Sequence, residues 1–227
     1  MHNYQNYIFD LDGTIVNSSD EVLSCFKKAF KEAKYEVDEN RFTSDVIGPP
    51  LAQIIQMLAP ELKDENKINE IMQNYRRLYD YDENDISVMY EGIYELLIGL
   101  KEKGYRLFMA TFKPKIPTMR LVKNFNLDKI FDDIYTIDKF GKKITKEEMI
   151  LDIISTYNLE KSQTVMIGDA PSDMIAAKGA GIDSIGVLWG YGSNKEPLRK
   201  SANYIVSSVK ELEECQKLNY RTTLQKG

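Results

Sequence analysis

YIFDLDGT, residues 7–14, is the stretch that decides the fold of this 227-residue chain. An apolar run that ends at a glycine and a threonine is typical of a buried parallel strand leading into a loop. In open α/β sheets, ligands bind at the carboxyl ends of the strands. Asp10 and Asp12 are two residues apart, so their side chains share a face and are expected at the mouth of a site. The alternative interpretation is that Asp12-Gly13 is only a hairpin turn.

The composition is that of a globular protein with an ordinary charge balance. Apolar residues make up 43% of the chain, which is enough to bury a full core. With 30 basic and 35 acidic residues the net charge is −5, and no basic stripe suited to nucleic acid is evident. No run of about 18 apolar residues is present, as a membrane-spanning helix would need. We therefore expect neither a nucleic-acid partner nor a membrane.

The histidine and cysteine content excludes several kinds of catalytic site. The only histidine is His2, next to the N-terminus. A Ser-His-Asp triad, a Cys-His pair or a histidine-rich zinc site would need an imidazole elsewhere in the chain. Cys25 and Cys215 are far apart and lack metal-ligand spacing, and no basic-then-apolar leader precedes the first strand. These features predict a reduced, cytoplasmic location.

The order of patterns along the chain predicts an α/β protein with an inserted helical segment. Residues 18–88 show helical periodicity, broken at Ile47-Gly48-Pro49-Pro50, and no clear strand pattern. One strand precedes this segment, and helices alternate with strands after it, which favours a Rossmann-like parallel sheet. We predict a catalytic core formed by residues 1–17 and 89–227 and an all-helical cap formed by residues 18–88. Further strands are expected at 106–110, 133–136, 164–167, 184–188 and 204–206.

Three of the predicted strands end in polar residues whose chemistry is complementary. Asp10 and Asp12 follow the first strand, Thr111 the second, and Asp169 the strand at 164–167, with Asp173 shortly after it. Four close carboxylates cannot all remain ionised without a cation, because like charges repel strongly in a shielded site. Mg²⁺ prefers a few carboxylates together with water and phosphate oxygens. Its expected ligands are Asp10, Asp169 and the backbone carbonyl of Asp12.

The same residues suggest phosphoryl transfer. An aspartate can attack phosphorus and form an aspartyl-phosphate, which is the role expected for Asp10. Asp12 is placed to protonate the leaving oxygen and then to deprotonate the attacking water. Thr111 and Lys146, at the start of a predicted helix, are expected to face the remaining phosphate oxygens.

These residues resemble the four motifs of the haloacid dehalogenase superfamily, in their usual order. The motifs are Asp10-Leu11-Asp12-Gly13-Thr14, the strand ending in Thr111, Lys146, and Gly168-Asp169 with Asp173. The resemblance covers essentially the whole chain. The helical segment resembles the family's type 1 cap, and residues 165–169 and 186–192 resemble the phosphoglycolate phosphatase-like branch. Dehalogenases of the superfamily lack a second aspartate like Asp12, so its presence favours phosphate ester chemistry.

The resemblance implies a role for each motif residue. Asp10 would be the nucleophile, Asp12 the general acid and base, Thr111 a phosphate ligand and Lys146 the residue that neutralises charge. Asp169 would hold Mg²⁺. Asp173 would lie in or near the metal shell or orient Lys146.

Two features leave parts of the site open. Lys142 and Lys143 lie near Lys146, which is preferred because it begins a helix with apolar periodicity. Phe112 stands where the family commonly has serine or asparagine, and it is a candidate for shaping the substrate pocket. Further candidates for substrate contact are Gly48 and Pro49 of the cap turn and Arg76 of a cap helix, since arginine suits a carboxylate or a second phosphate.

We therefore predict a Mg²⁺-dependent phosphatase of a small phosphorylated metabolite, phosphoglycolate phosphatase-like, acting as a monomer or homodimer. The alternatives are a 5′-nucleotidase or sugar-phosphate phosphatase, and a phosphomutase that retains the phosphoryl group. A non-catalytic phospho-acceptor or binding module is the alternative from another functional class, and Asp12 argues against it.

Overall fold

The larger of two sheets in the described residues is parallel and six-stranded. The computed structural model describes residues 4–49, 51–81, 86–141 and 144–214. The fold prediction, an α/β protein with a parallel Rossmann-like sheet, is confirmed. The six strands are β1 (Asn6–Phe9), β4 (Arg106–Thr111), β5 (Asp133–Thr136), β6 (Thr164–Gly168), β7 (Asp183–Val187) and β8 (Tyr204–Val206). Their order across the sheet is β5-β4-β1-β6-β7-β8. The short strands β2 (Val16–Asn17) and β3 (Val88–Met89) form a separate two-stranded sheet.

Helices cover both faces of the large sheet. Successive side chains of a strand point to opposite faces, so Tyr7 and Phe9 enter one apolar cluster while Ile8 enters another. The first cluster includes residues of α4 (Ile93–Glu102) and α5 (Lys115–Asn124), and the second includes residues of α6 (Lys146–Tyr157) and α7 (Pro171–Ala180). Burial on both faces explains why β1 is apolar without alternation.

The register of the sheet brings the ends of three strands level with one another. Phe9 of β1 is opposite Met109 of β4 on one side and Ile167 of β6 on the other. The residues that follow these positions therefore emerge at the same edge of the sheet. This alignment places Asp10, Thr111 and Asp169, which are distant in sequence, in one locality.

The chain divides into two compact units. One comprises Met1–Asn17, Met89–Gly190 and the chain from Asn194 onward, and the other comprises Ser18–Val88 and Tyr191–Ser193. The second unit is built from α1 (Ser19–Glu32), α2 (Leu51–Leu58) and α3 (Glu65–Asp80) and has its own apolar core. The assignment of these parts as catalytic core and cap stays a prediction.

One helix was not expected from the sequence. It is α8 (Glu196–Ser201), six residues long, which buries Leu198 and has proline in its first turn. A single buried residue gives too little apolar periodicity to predict a helix. Among the described residues, no helix is long and apolar enough to cross a membrane.

Candidate active site

Asp10 is held at the end of β1 by the sheet itself. Its backbone amide donates to the carbonyl of Ile167 at 2.9 Å, which continues the pairing of β1 with β6. The carboxylate is buried. Gly13 then turns the chain with a φ of +77°, a conformation that favours glycine. The turn closes with a bond from the Gly13 amide to Val16 O at 2.8 Å.

Lys146 occupies the first turn of α6, and its position is fixed by a capping box. The amide of Glu148 donates to Thr145 Oγ1 at 3.1 Å, and the Thr145 amide donates to Glu148 Oε2 at 2.6 Å. The buried Lys146 Nζ lies 2.9 Å from Asp10 Oδ1 and 2.5 Å from Asp173 Oδ1. The geometry places Lys146 against Asp10 and Asp173, and its assignment as the active-site lysine stays a prediction. Lys142 and Lys143 lie outside the described residues.

Three buried carboxylates form a group that could hold a metal ion. Asp10, Asp169 and Asp173 each offer an oxygen, and these oxygens all lie within 4.8 Å of one another. Asp173 is oriented by Lys146 and by the Ala170 amide, which donates to Asp173 Oδ2 at 3.2 Å. The carboxylate of Asp12 is not part of this group. The metal ligand predicted at Asp12 is its backbone carbonyl and not its side chain.

The charge state of Asp10 reflects this crowding. Burial raises the pKa of Asp10 to about 7, and the neighbouring Asp173 and Asp12 add to the increase while Lys146 opposes it. The pKa of Lys146 is also raised, because the attraction of Asp10 and Asp173 outweighs burial, which acts in the opposite direction. Asp10 Oδ1 is buried and makes no aligned hydrogen bond among the described residues, although Lys146 is in ion-pair contact with it. A divalent cation would satisfy such an oxygen and favour the ionised carboxylate.

Thr111 ends β4 with its side chain buried. Its Oγ1 accepts a hydrogen bond from the Lys113 amide at 3.1 Å. Because that bond uses a lone pair of the oxygen, the hydroxyl proton remains available for an acceptor such as a phosphate oxygen. The geometry is therefore compatible with the role predicted for Thr111.

Lys113 is a site residue that the sequence analysis missed. Its ammonium donates to Asp12 Oδ1 at 2.8 Å and to Asp12 Oδ2 at 3.1 Å. The Lys113 side chain is 3% exposed and that of Asp12 is 24% exposed, so the pair is largely shielded from water. Lys113 is two residues beyond Thr111, and this spacing at a strand end was the available signal.

Two aromatic residues near the carboxylates were also missed as site residues. The pKa of Tyr90 is raised, first by burial and then by the charges of Asp169 and Asp12. Its ring meets that of Trp189 edge to face, with centroids 6.4 Å apart. Trp189 Nε1 donates to the carbonyl of Thr14 at 3.1 Å, which ties this pair to the turn after β1.

The candidate substrate residues have different positions. Phe112 is 39% exposed, and Lys146 Nζ lies 5.0 Å from the centre of its ring, within cation–π range. Gly48 is exposed with a φ of +118°, and Pro49 is partly buried. Arg76 is exposed on α3, whereas its neighbour Arg77 forms an ion pair with Glu32. Substrate contact by Gly48, Pro49, Arg76 and Phe112 stays a prediction.

Comparison with known proteins identifies the family. Residues 7–187 match the haloacid dehalogenase-like hydrolase family. A 5′-nucleotidase of Pseudomonas aeruginosa is 31% identical over 85% of this chain and 86% of its own length. The pyrophosphatase PpaX of Halalkalibacterium halodurans is 28% identical over 90% of this chain and 93% of its own length.

The fold is shared with a solved structure of the same family. A haloacid dehalogenase-like family hydrolase from Streptococcus pneumoniae has a TM-score of 0.80 and 29% identity, covering 92% of this chain and 97% of that one. Together these relatives support the prediction of a phosphoric monoester hydrolase. The chain belongs to the haloacid dehalogenase-like hydrolase family.

Proposed function

We propose that this protein is a Mg²⁺-dependent phosphatase that hydrolyses a small phosphate monoester through an aspartyl-phosphate on Asp10. The observation that carries the proposal is the buried contact of Asp10 with Lys146, beside the carboxylates of Asp169 and Asp173. A carboxylate that attacks phosphorus must be close to positive charge, because the phosphoryl group is itself anionic.

Asp10, Asp169 and the backbone carbonyl of Asp12 would hold the metal, with Asp173 in or near its shell. The donor set is made of oxygens, which suits a hard cation. The closeness of three buried carboxylates fits such an ion, and so does Asp10 Oδ1, which contacts Lys146 but makes no aligned hydrogen bond among the described residues. When bound, Mg²⁺ would supply charge that neutralises phosphate oxygens and orients the substrate.

The chemistry proceeds in two steps on the residues of this chain. An oxygen of Asp10 forms a bond to phosphorus while the bond from phosphorus to the leaving oxygen breaks, and Asp12 gives its proton to that oxygen. Asp12 then takes a proton from water as the water oxygen attacks the phosphorus. Inorganic phosphate leaves, and Asp10 is restored as a carboxylate.

Two residues would hold the transferred group. Thr111 Oγ1 accepts a hydrogen bond from the Lys113 amide, so its hydroxyl proton remains available to donate to a phosphate oxygen. Lys146 is held by Asp10 and Asp173 and would balance the charge that develops on the phosphoryl oxygens.

Lys113, which the sequence analysis did not select, would stabilise the carboxylate of Asp12. When Asp12 gives up its proton, negative charge develops on its carboxylate. Lys113 contacts both oxygens of that carboxylate and stabilises the charge as it forms. Lys113 would therefore assist proton transfer to the leaving group.

The substrate is proposed from relatives and from the resemblance described above. Phosphoglycolate is the leading candidate, on the resemblance to that branch of the family. The similarity to a 5′-nucleotidase favours a nucleoside monophosphate as the second candidate. The similarity to the pyrophosphatase PpaX makes pyrophosphate a third candidate substrate. The same phosphoryl transfer would then cleave an anhydride bond instead of an ester bond.

The test is phosphate release by the purified full chain after treatment with EDTA. We expect no hydrolysis of p-nitrophenyl phosphate without metal and recovery on addition of Mg²⁺. If EDTA does not change the activity, the proposal that the reaction depends on a metal ion is wrong. A panel of phosphoglycolate, 5′-nucleotides, hexose phosphates and pyrophosphate then ranks substrates by kcat/KM.

The same assays separate the other functional classes. A phosphomutase would convert one sugar phosphate into an isomer and release little inorganic phosphate. A phospho-acceptor module would give at most one equivalent of product per protein. Repeated turnover to inorganic phosphate is the result expected of the phosphatase.

A further inference from the structure

The loop that follows β7 approaches Asp169 at a residue without a side chain, Gly190. Trp189 is anchored by its indole N–H, which donates to Thr14 O at 3.1 Å, and by its edge contact with Tyr90. The next residue, Gly190, is also fixed, because Lys195 Nζ donates to its carbonyl at 2.9 Å. The position of Gly190 is therefore set from both sides.

Gly190 lies directly against Asp169. A Cβ built on Gly190 would overlap with Cβ and Oδ2 of Asp169 and with the carbonyl oxygen of Gly13. The φ of Gly190 lies outside the left-handed region, so alanine would meet no conformational penalty there. What excludes a side chain at Gly190 is the space that Asp169 occupies.

Gly13 also lies directly against Asp169. A Cβ built on Gly13 would overlap with all three atoms of the Asp169 carboxyl group. Gly13 and Gly190 thus form two backbone walls of a narrow slot for one carboxylate. Packing of this kind removes rotamer freedom before any ligand arrives.

We propose that Gly190 is a positioning residue that fixes the Asp169 carboxylate in the orientation needed for metal binding. This inference rests on the proposed function, because it takes Asp169 to be a metal ligand. Preorganisation lowers the cost of binding, since the carboxylate does not have to be ordered by the ion. The bond from Lys195 serves the same end by holding the Gly190 backbone against the slot.

The experiment compares metal binding by the full-length wild type and by Gly190→Ala. Mg²⁺ binding is measured by isothermal titration calorimetry without substrate, and Mn²⁺ binding by electron paramagnetic resonance. We expect the Kd for either ion to rise at least about tenfold in Gly190→Ala. The Mg²⁺ concentration for half-maximal activity should rise in parallel, with a smaller loss of kcat at saturating Mg²⁺.

The matched control is Gly99→Ala. Gly99 lies within α4 and a Cβ there would meet no atom within 4 Å, so alanine fits. Its Kd for Mg²⁺ should stay within twofold of that of the wild type. Thermal unfolding in EDTA shows whether each variant is folded.

A second variant keeps the inference testable if Gly190→Ala does not fold. Lys195→Met removes the bond to the Gly190 carbonyl without adding bulk to the slot, and we expect it to weaken Mg²⁺ binding several-fold. Its control is Lys200→Met in α8, the helix that begins directly after Lys195, because the exposed pair of Lys200 with Glu196 contributes little. Wild-type affinity in both Gly190→Ala and Lys195→Met, or in Lys195→Met if the first is unfolded, would overturn the inference. A wild type that binds no Mg²⁺ would instead reject the proposed function.

Discussion

Lys113 Nζ lies 2.8 Å from Asp12 Oδ1 and 3.1 Å from Asp12 Oδ2, in a contact that is largely closed to water. Replacement by methionine keeps the length of the side chain and removes its charge. We expect Lys113→Met to lower kcat/KM at least about tenfold on alkyl phosphates, whose leaving oxygen must be protonated. Aryl phosphates with electron-withdrawing groups need little protonation, so their hydrolysis should be affected less.

The measurement is a leaving-group series, with log kcat/KM plotted against the pKa of the leaving alcohol. A steeper slope for Lys113→Met than for the wild type supports assistance to Asp12. Lys115→Met is the control, because Lys115 is exposed at the start of α5. An equal loss on every substrate would indicate a purely structural role for Lys113.

Asp10→Asn tests the covalent route. The amide has nearly the shape of the carboxylate but cannot act as a nucleophile toward phosphorus. Phosphate release should fall at least about a thousandfold, while circular dichroism and the unfolding transition still show a folded protein. Turnover near the wild-type rate in this variant would mean that another group, or water itself, attacks the phosphate.

The raised pKa of Asp10 predicts a pH dependence of stability in the absence of metal. The pKa is about 7 in the folded protein, against an ordinary value of 3.8, because burial disfavours the carboxylate. The folded state therefore binds more protons than the unfolded state between these values, and stability falls as the pH rises through this window. Lys146 also has a raised pKa, but its contribution is lost only at alkaline pH and does not enter here.

Urea unfolding in EDTA at several pH values between 4 and 7.5 measures this effect. As the pH rises, the unfolding free energy of the wild type should fall relative to that of Asp10→Asn, by at most about 1.4 kcal/mol per pH unit. Above pH 7 the difference should level off. A difference that does not vary with pH would show that Asp10 is already ionised throughout the range.

The sequence was sufficient to predict the sheet and the strand ends at which Asp10, Thr111 and Asp169 lie. Asp10 and Asp169 each follow an apolar run of residues buried on both faces, and such runs identify neighbouring parallel strands. Apolar periodicity predicted a helix that begins at Lys146, and α6 begins at that residue. In these cases a local sequence pattern marks the end of a strand or the start of a helix, and this places the backbone of the functional residue.

Contacts between distant segments could not be predicted in the same way. Lys113 is 101 positions from Asp12, and a lysine after a strand is more often solvated than paired. Gly190 gave no chemical signal, because its importance lies in the space that a side chain would take from Asp169. Both depend on packing between segments that lie far apart in the sequence.

Lys146→Met tests which lysine serves the site. Lys146 is the buried cation that contacts Asp10 and Asp173, so its loss leaves close carboxylates without their counter-charge. Leaving buried charges unpaired costs about 3–5 kcal/mol and would push the pKa of Asp10 higher still. We expect Lys146→Met to lose nearly all activity at saturating Mg²⁺ and to be less stable at neutral pH.

The comparison is with Lys142→Met and Lys143→Met, the other lysines that the sequence left open. Each should keep its kcat within a few-fold of that of the wild type, because Lys146 already supplies a buried ammonium to Asp10 and Asp173. Lys146→Arg should recover little activity, since a planar guanidinium cannot replace a compact ammonium between Asp10 and Asp173. Inactive Lys143→Met with active Lys146→Met would transfer the role to Lys143 and refute the assignment made from the ion pairs.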